Sequence, residues 1–420
     1  MASLYFHDGI FGALAIADRQ LYNLTPTPTD EQPLSGSPPM GFYDNLLDET
    51  HRMVRQTARK FALAEIRPHV DAWEEAGEFP RTLYEAAADA GILGVGFPEE
   101  YGGSGGGPIE QVMVIEGLMH GGSTGVSAGL GSLGIALPPI VQSGDEQLID
   151  EFARPALAGD QICGLAITEP NTGSDVAAVS TRAERRDDHY VVNGAKMFIT
   201  SGARADFLTT LVRTGEDPHG GLSFLVVETE RDGVHQSEPL KKHGWWASDT
   251  AEIGFDDVEV PADRLVGSEG AGFVTLMQNF QNERLALAAY GVATAELALD
   301  EALEYAGERT AFGRPIKDFQ VNRHKLVEMK TEYTAAKTLV YQLANRMDAG
   351  EYLVEEVSMA KNFAADVALS VCEQAVQLHG GMGFMRETLV ERLLRDARLL
   401  PIGGGTREIM NEIIARQMDL

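Results

Sequence analysis

The strongest constraint on this chain is a pair of consecutive apolar stripes in its last hundred residues. Leu326, Met329, Tyr333, Ala336, Val340, Leu343 and Met347 recur at alternating steps of three and four. Val357, Ala360, Ala364, Val367, Val371, Gln374 and Leu378 repeat the pattern after a break at Asp348-Ala349-Gly350. Steps of three and four put side chains on one face of an α-helix. Two such helices in series with a short turn must pack against each other and against further helices, so the spacing predicts an up-down bundle.

Earlier the period changes. Ile162 to Thr168, His189 to Thr200, Phe207 to Val212, Leu222 to Val227 and Glu252 to Val260 are short β-rich runs bounded by turn residues. They predict a compact antiparallel sheet or barrel, with Asn193-Gly194 as a hairpin signal. Before it, residues 42–161 read as helical: Leu46, Met53, Phe61 and Ile66 up to Pro68, then Leu83 to Ala90, then Ile109 to His120 after the glycine-dense PEEYGGSGGG. Residues 25–41 are too rich in Pro, Ser, Thr and Gly to offset their ordering entropy by burial. The expected organisation is an extension and linker over 1–41, a helical domain over 42–161, a β-barrel over 162–268 and a helical bundle over 269–420.

Composition narrows the function. Of 420 residues 44% are hydrophobic, and the net charge is −29. Such an excess of acid repels phosphate backbones and anionic lipid, arguing against nucleic-acid and membrane partners. Any anionic ligand must sit in a local pocket of amides or cations. Two cysteines, Cys163 and Cys372, allow neither a disulfide framework nor a CxxC metal site, which fits a reducing cytoplasm. The apolar run Gly9 to Ala17 lacks a basic flank and is too short for an anchor, so neither a signal peptide nor a membrane span is expected.

Candidate chemistry lies in loops. Gly267, Gly270 and Gly272 mimic a dinucleotide fingerprint, but no βαβ unit surrounds them, and a turn into a helix explains them better. ICGLAITEPNTGSD (162–175) ends a β-run in amides and hydroxyls that can hold a polar heterocycle, or simply cap a turn. KMFITSG (196–202), ERTAFGRPIKDFQ (308–320) and QLHGGMGF (377–384) are similar.

Together with FPEEYGGSGGG, SDTAEIGFDDVEVP and PIGGGTREIMNEIIAR, in this order from about residue 42 to 420, these segments resemble the acyl-CoA dehydrogenase family of flavoproteins. The resemblance implies a helical N-terminal domain, a middle β-barrel and a C-terminal four-helix bundle. It implies FAD held with help from a neighbouring subunit, hence a homo-oligomer, dimer or tetramer. Leu165, Ile167, Thr168, Gly173 and Ser174 match the first flavin strand and loop. Phe198 and Thr200 match an aromatic on the flavin and a hydroxyl at N5, although many relatives carry Trp at the Phe198 position. Arg309, Phe312 and Gln320 match a segment reaching the partner's FAD. Gln377, Gly380, Gly381, Thr406 and Glu408 match the remaining cofactor contacts. Ser174, Gln281, Arg284 and Gly405 match substrate-binding positions.

The catalytic base needs its own argument. Many family members carry a Glu just before the Gly-Thr of the C-terminal motif, and here that position is Gly404. The family's other arrangement, in long-chain and isovaleryl members, places Glu immediately before an Arg on a bundle helix. Phe280-Gln281-Asn282-Glu283-Arg284-Leu285 fits it. A Glu-Arg pair on a helix is ordinarily a surface salt bridge; the vacant Gly404 favours Glu283 as base. Gly404 retains its backbone N–H for the thioester oxygen. The expected activity is acyl-CoA dehydrogenation in fatty acid β-oxidation, with electrons passed to an electron-transfer flavoprotein. An O₂-using acyl-CoA oxidase and a non-catalytic binding partner are the alternatives.

Overall fold

A computed structural model describes residues 42–420 apart from Asp44. The extension and linker expected over 1–41 lie outside the described residues. Helices come first, among them α1 (Glu49–Phe61), α2 (Thr82–Asp89) and α3 (Pro108–Met119). The Asp48 side chain accepts the His51 N–H and so caps α1. Pro108 opens α3 at a position whose N–H would lack a partner anyway.

Eight strands follow: β1 (Cys163–Ala166), β2 (Arg182–Arg185), β3 (His189–Thr200), β4 (Phe207–Arg213), β5 (Leu222–Glu228), β6 (Val234–Gln236), β7 (Thr250–Pro261) and β8 (Leu265–Val266). They form one sheet in the order β6-β7-β3-β2-β4-β5-β8, with β1 also on β4. Most pairs are antiparallel, as the short runs predict. β1, however, runs parallel to β4 over Cys163–Ala166, and β2 meets β4 in parallel only at Arg182 and Arg213. A parallel pair needs a crossover, here supplied by the loop after β1 together with the β2–β3 hairpin. One stretch of β4 is thus served by β1 and a later residue by β2. Between them residues 167–181 leave the ladder.

The Asn193-Gly194 pair is not a hairpin turn. It lies inside β3, where the register against β7 slips between Val192 and Gly194. Asn193 exchanges hydrogen bonds with Asp257 of β7, Nδ2 to Oδ1 and Asp257 N to Asn193 Oδ1, both at 2.9 Å. A Cβ on Gly194 would stand 2.7 Å from the Thr181 backbone. The turn-forming dipeptide is spent on a β-bulge, while the chain actually reverses around Arg186–Asp188.

The bundle is built from α4 (Gly272–Glu308), α5 (Gln320–Asp348), α6 (Val354–His379), α7 (Leu389–Ala397) and α8 (Arg407–Gln417). The two stripes are buried as expected, save Met347 and Gln374, which are half-exposed. Through Leu285–Ala295 the long α4 is buried at every position but half-exposed Ala286, as a helix running through the centre of a bundle must be. Among the described residues no single helix is long and apolar enough to cross a membrane.

Candidate active site

Glu283 sits where α4 passes from one-sided to all-round burial. Its carboxylate is half-buried and makes no hydrogen bond or ion pair among the described residues. Burial raises its pKa, with Arg284 and Lys361 pulling in the opposite direction. Arg284 is buried against the Phe280 ring at 5.4 Å, and its Nε has no partner among the described residues. The Gln281 Oε1 is likewise buried and unpartnered. Both atoms lie on the turn of α4 that carries Glu283.

Gly404 faces this carboxylate. The chain leaves α7 through a turn in which Gly404 has φ +62° and Gly405 φ +96°, conformations that glycine adopts without penalty. A Cβ on Gly404 would lie 2.3 Å from Leu287 Cδ1 and 3.5 Å from Glu283 Oε1. The Gly403 N–H donates to Leu399 O at 3.0 Å. The Gly404 N–H has no acceptor among the described residues. Thr406 caps α8, its Oγ1 accepting the Ile409 N–H at 3.3 Å. The structure therefore brings Glu283, Arg284, Gly404 and Gly405 to one place. A depression of about 650 Å³ lined by Phe273, Met277, Gln278 and Tyr352 opens on the first turns of the same helix.

Leu165, Ile167, Thr168, Gly173 and Ser174 lie at the end of β1 and in the loop that leaves the sheet. The Met197 N–H donates to Thr168 O at 2.7 Å and ties this loop to β3. Just beyond, β3 slips register a second time between Lys196 and Ile199. This bulge turns Phe198 out of the sheet with φ +60° and leaves it 62% exposed. Thr200 follows at the strand end. Gly173 and Ser174 are open to solvent.

Two residues that sequence reasoning missed shape this loop. The Glu169 carboxylate accepts from the Ser180 N–H (2.8 Å), Ser180 Oγ (2.6 Å), the Thr181 N–H (2.8 Å) and Lys196 Nζ (2.9 Å). Lys196 also donates to Ile167 O at 3.0 Å. Burial alone would raise the Glu169 pKa, but Lys196 and the Ser180 and Thr181 donors outweigh it and hold the carboxyl at about 2. In sequence a Lys beside an apolar run carries no local sign of such a partner.

The remaining predicted residues form a second surface. Arg309, Gly380 and Gly381 line a depression of about 540 Å³ with Tyr305 and His379, whose rings stack at 4.2 Å. Phe312 is 95% exposed in the turn of a short two-stranded ribbon between α4 and α5, and Gln320 and Gln377 are exposed. This set is remote from Glu283. Arg309 follows α4 and lies 26 residues beyond Glu283, about 39 Å along the axis at 1.5 Å per residue. Glu408 is exposed on the first turn of α8.

Three family models cover the described chain: the acyl-CoA dehydrogenase N-terminal domain over 48–160, middle domain over 164–258 and C-terminal domain over 270–419. The chain belongs to the acyl-CoA dehydrogenase family. A protein named probable acyl-CoA dehydrogenase YngJ, from Bacillus subtilis, is 39% identical over 89% of this chain and 98% of its own length. The mitochondrial long-chain specific acyl-CoA dehydrogenase of Mus musculus is 37% identical over 89% and 87%. A crystal structure of a probable acyl-CoA dehydrogenase from Mycobacterium abscessus superposes with TM-score 0.87 at 52% identity, over 89% of this chain and 100% of that one.

The protein is accordingly a flavin-dependent oxidoreductase, and the family's cofactor is FAD. The residues present fit that group. Phe198 offers an open apolar ring beside the Thr168 turn. No atom lies within 4 Å of a Cβ built on Gly380 or Gly381, so both backbones border open space beside Arg309. An arginine there would give an acidic protein a local hold on a pyrophosphate.

Proposed function

We propose that this protein oxidises an acyl-CoA thioester to the trans-2-enoyl-CoA, with Glu283 as the base that removes the α-proton. What carries the reading is the relation of Glu283 to Gly404. A carboxylate without a hydrogen-bond partner among the described residues, its basicity raised by burial, stands beside a backbone N–H that none of those residues accepts. A general base needs that combination of reach and raised pKa. The Gly404 N–H is suited to the thioester oxygen, where negative charge develops as the α-proton leaves, and one such donor is worth about 2.7–4 kcal/mol of barrier. Arg284 and Gln281 offer their unpartnered atoms to the substrate's polar groups, and Ser174 and Gly405 border the same ligand. The depression at Met277 and Tyr352 is the entry for the CoA chain, six residues or about 9 Å along α4 from Glu283.

Bound FAD supplies the acceptor for the β-hydride. Leu165, Ile167, Thr168, Gly173, Phe198 and Thr200 would hold its ring system. Arg309, Phe312, Gln320, Gln377, Gly380 and Gly381 would hold a second copy's FAD, because about 39 Å of helix separates Arg309, which shares a depression with Gly380 and Gly381, from Glu283 in its own chain. Thr406 and Glu408 complete the cofactor edge. Electrons leave to an electron-transfer flavoprotein, and the base position favours a long-chain or branched acyl group.

Anaerobic titration with a panel of acyl-CoA chain lengths tests the reading. The parent should lose its flavin absorbance. Glu283→Gln should stay yellow and folded while reduction slows by ~10²–10⁴-fold. Reduction of that variant at the parental rate would remove Glu283 from the mechanism.

A further inference from the structure

Lys361 lies on α6, inside the bundle, and is 1% exposed. Its Nζ donates to Gly405 O at 2.6 Å, so it grips the turn that carries Gly404. The adjacent Asn362 holds the same segment further along, its Nδ2 donating to Arg407 O at 3.2 Å and Asn411 Oδ1 at 3.0 Å. Lys361 is also close enough to Glu283 to favour its ionised form without forming a direct ion pair.

We propose that Lys361 is a positioning residue for the Glu283–Gly404 pair: it anchors the Gly403–Gly405 turn through the Gly405 carbonyl and supplies a buried positive charge that Glu283 faces. This rests on the reading of Glu283 as base. The two roles belong together. The N–H offered to the thioester oxygen is useful only if the turn is held still, and glycines at 403–405 give it no stiffness of their own. A base raised too far by burial would be protonated at working pH, and a fixed cation limits that rise.

The groups facing Lys361 are Glu283 and Arg284 from α4, and Arg407 and Glu408 from α8. Burial lowers its own pKa to about 8, with Arg284 and Arg407 adding to the fall and Glu283 and Glu408 opposing it. The groups facing Glu283 are Arg284 on its own helix and Lys361 on α6.

Three substitutions in the full-length holoenzyme separate anchor from charge. Lys361→Gln keeps a donor but no charge, Lys361→Arg keeps the charge, and Asn362→Ala loosens the segment while leaving the charges alone. The first readout is titration of the Glu283 carboxyl by infrared difference spectroscopy, its band assigned by loss in Glu283→Gln. The second is the pH profile of anaerobic flavin reduction. Lys361→Gln should move the Glu283 midpoint and the acid limb up together by roughly one unit or more. At pH 7 it should slow reduction about tenfold, with KM changed less than about threefold. Lys361→Arg should return both midpoints toward the parent, and Asn362→Ala should leave them in place.

A Lys361→Gln protein titrating with the parent, or Asn362→Ala shifting the midpoint as far as Lys361→Gln, would overturn the proposal. Loss of the base reading would look different. Glu283→Gln would then reduce flavin normally, while the infrared midpoint of Glu283 still reported what Lys361 does to it. Should Lys361→Gln not fold, Lys361→Met removes donor and charge together and should shift the midpoint at least as far, while Lys361→Arg matching the parent in both midpoints remains required.

Discussion

Glu283 Oε1 lies 3.5 Å from the point where a Cβ on Gly404 would stand. Two positions far apart in sequence thus converge on the same small volume, and only one of them carries a side chain.

Glu283 and Gly404 are two places from which one carboxylate could reach the same substrate carbon. Gly404→Glu alone should fold poorly, because its Cβ would meet Leu287 Cδ1 at 2.3 Å and its φ of +62° disfavours any side chain. Combining Glu283→Thr, Leu287→Ala and Gly404→Glu provides both room and a carboxylate. That triple variant should reduce flavin at least ~10-fold faster than Glu283→Thr, a recovery within the reach of a restored base. Stopped-flow absorbance in the presence of acyl-CoA measures it; rates equal to Glu283→Thr would mean the two positions are not interchangeable.

The length of α4 gives a second prediction. Glu283→Gln and Arg309→Ala should each be nearly inactive, the latter through weakened FAD binding. Mixed oligomers of the two should regain activity, because one site per pair then combines the intact Glu283 of one copy with the intact Arg309 of the other. Co-expression with two different tags and tandem purification tests this. Absence of any recovery would place both residues in a site built by a single chain.

The third concerns the loop between β1 and β2. Glu169→Gln leaves Lys196, fully buried, without its counter-charge, and breaking a buried pair in this way costs about 3–5 kcal/mol. Chemical denaturation should show that loss, together with weaker FAD retention. In the parent the folded Glu169 carboxyl at about 2 lies below its ordinary 4.5. Its stabilisation is therefore complete above pH 4.5 and is lost as pH falls toward 2. An acid limb of stability that is the same in Glu169→Gln and the parent would contradict this.

The fourth is a contribution of opposite sign. Asp396 is fully buried and accepts the Trp245 N–H at 2.6 Å and the Thr124 N–H at 3.2 Å. Burial, reinforced by Glu74, pushes its carboxyl up to about 7 from 3.8, against the pull of those N–H groups and Arg395. A raised folded value means that its contribution is complete below pH 3.8 and fades as pH rises through about 7. Asp396→Asn cannot ionise, so its stability relative to the parent should improve between pH 4.5 and 7.5. Thermal melts across that range give the difference, and a flat difference would mean Asp396 is charged throughout.

Much of this was legible beforehand because it follows from periodicity. The stripes through Leu326–Leu343 and Val357–Val371 are buried as their spacing requires, and the switch to period two marks the sheet. Asn193-Gly194 misled because the same dipeptide that makes a tight turn also makes a bulge, and only the pairing of β3 with β7 decides which. Lys196 and Lys361 were invisible for a related reason. Each looks like a solvated residue at the flank of an apolar pattern, yet Glu169 awaits one and the Gly405 carbonyl the other. Asp396 was hidden too, since its partners Thr124 and Trp245 lie more than 150 residues away in the chain. Partnerships of that range leave no local trace.

Leu287 limits what the vacant turn can accept. Its Cδ1 methyl stands 2.3 Å from where a Cβ at 404 would lie, so no single substitution seats a side chain in that turn without moving Leu287. Placing one there while keeping Leu287 strains the backbone, and clearing Leu287 first opens a void with nothing to fill it. Either change alone costs more than the two made together, so positions 287 and 404 are coupled and tolerate substitution only as a pair.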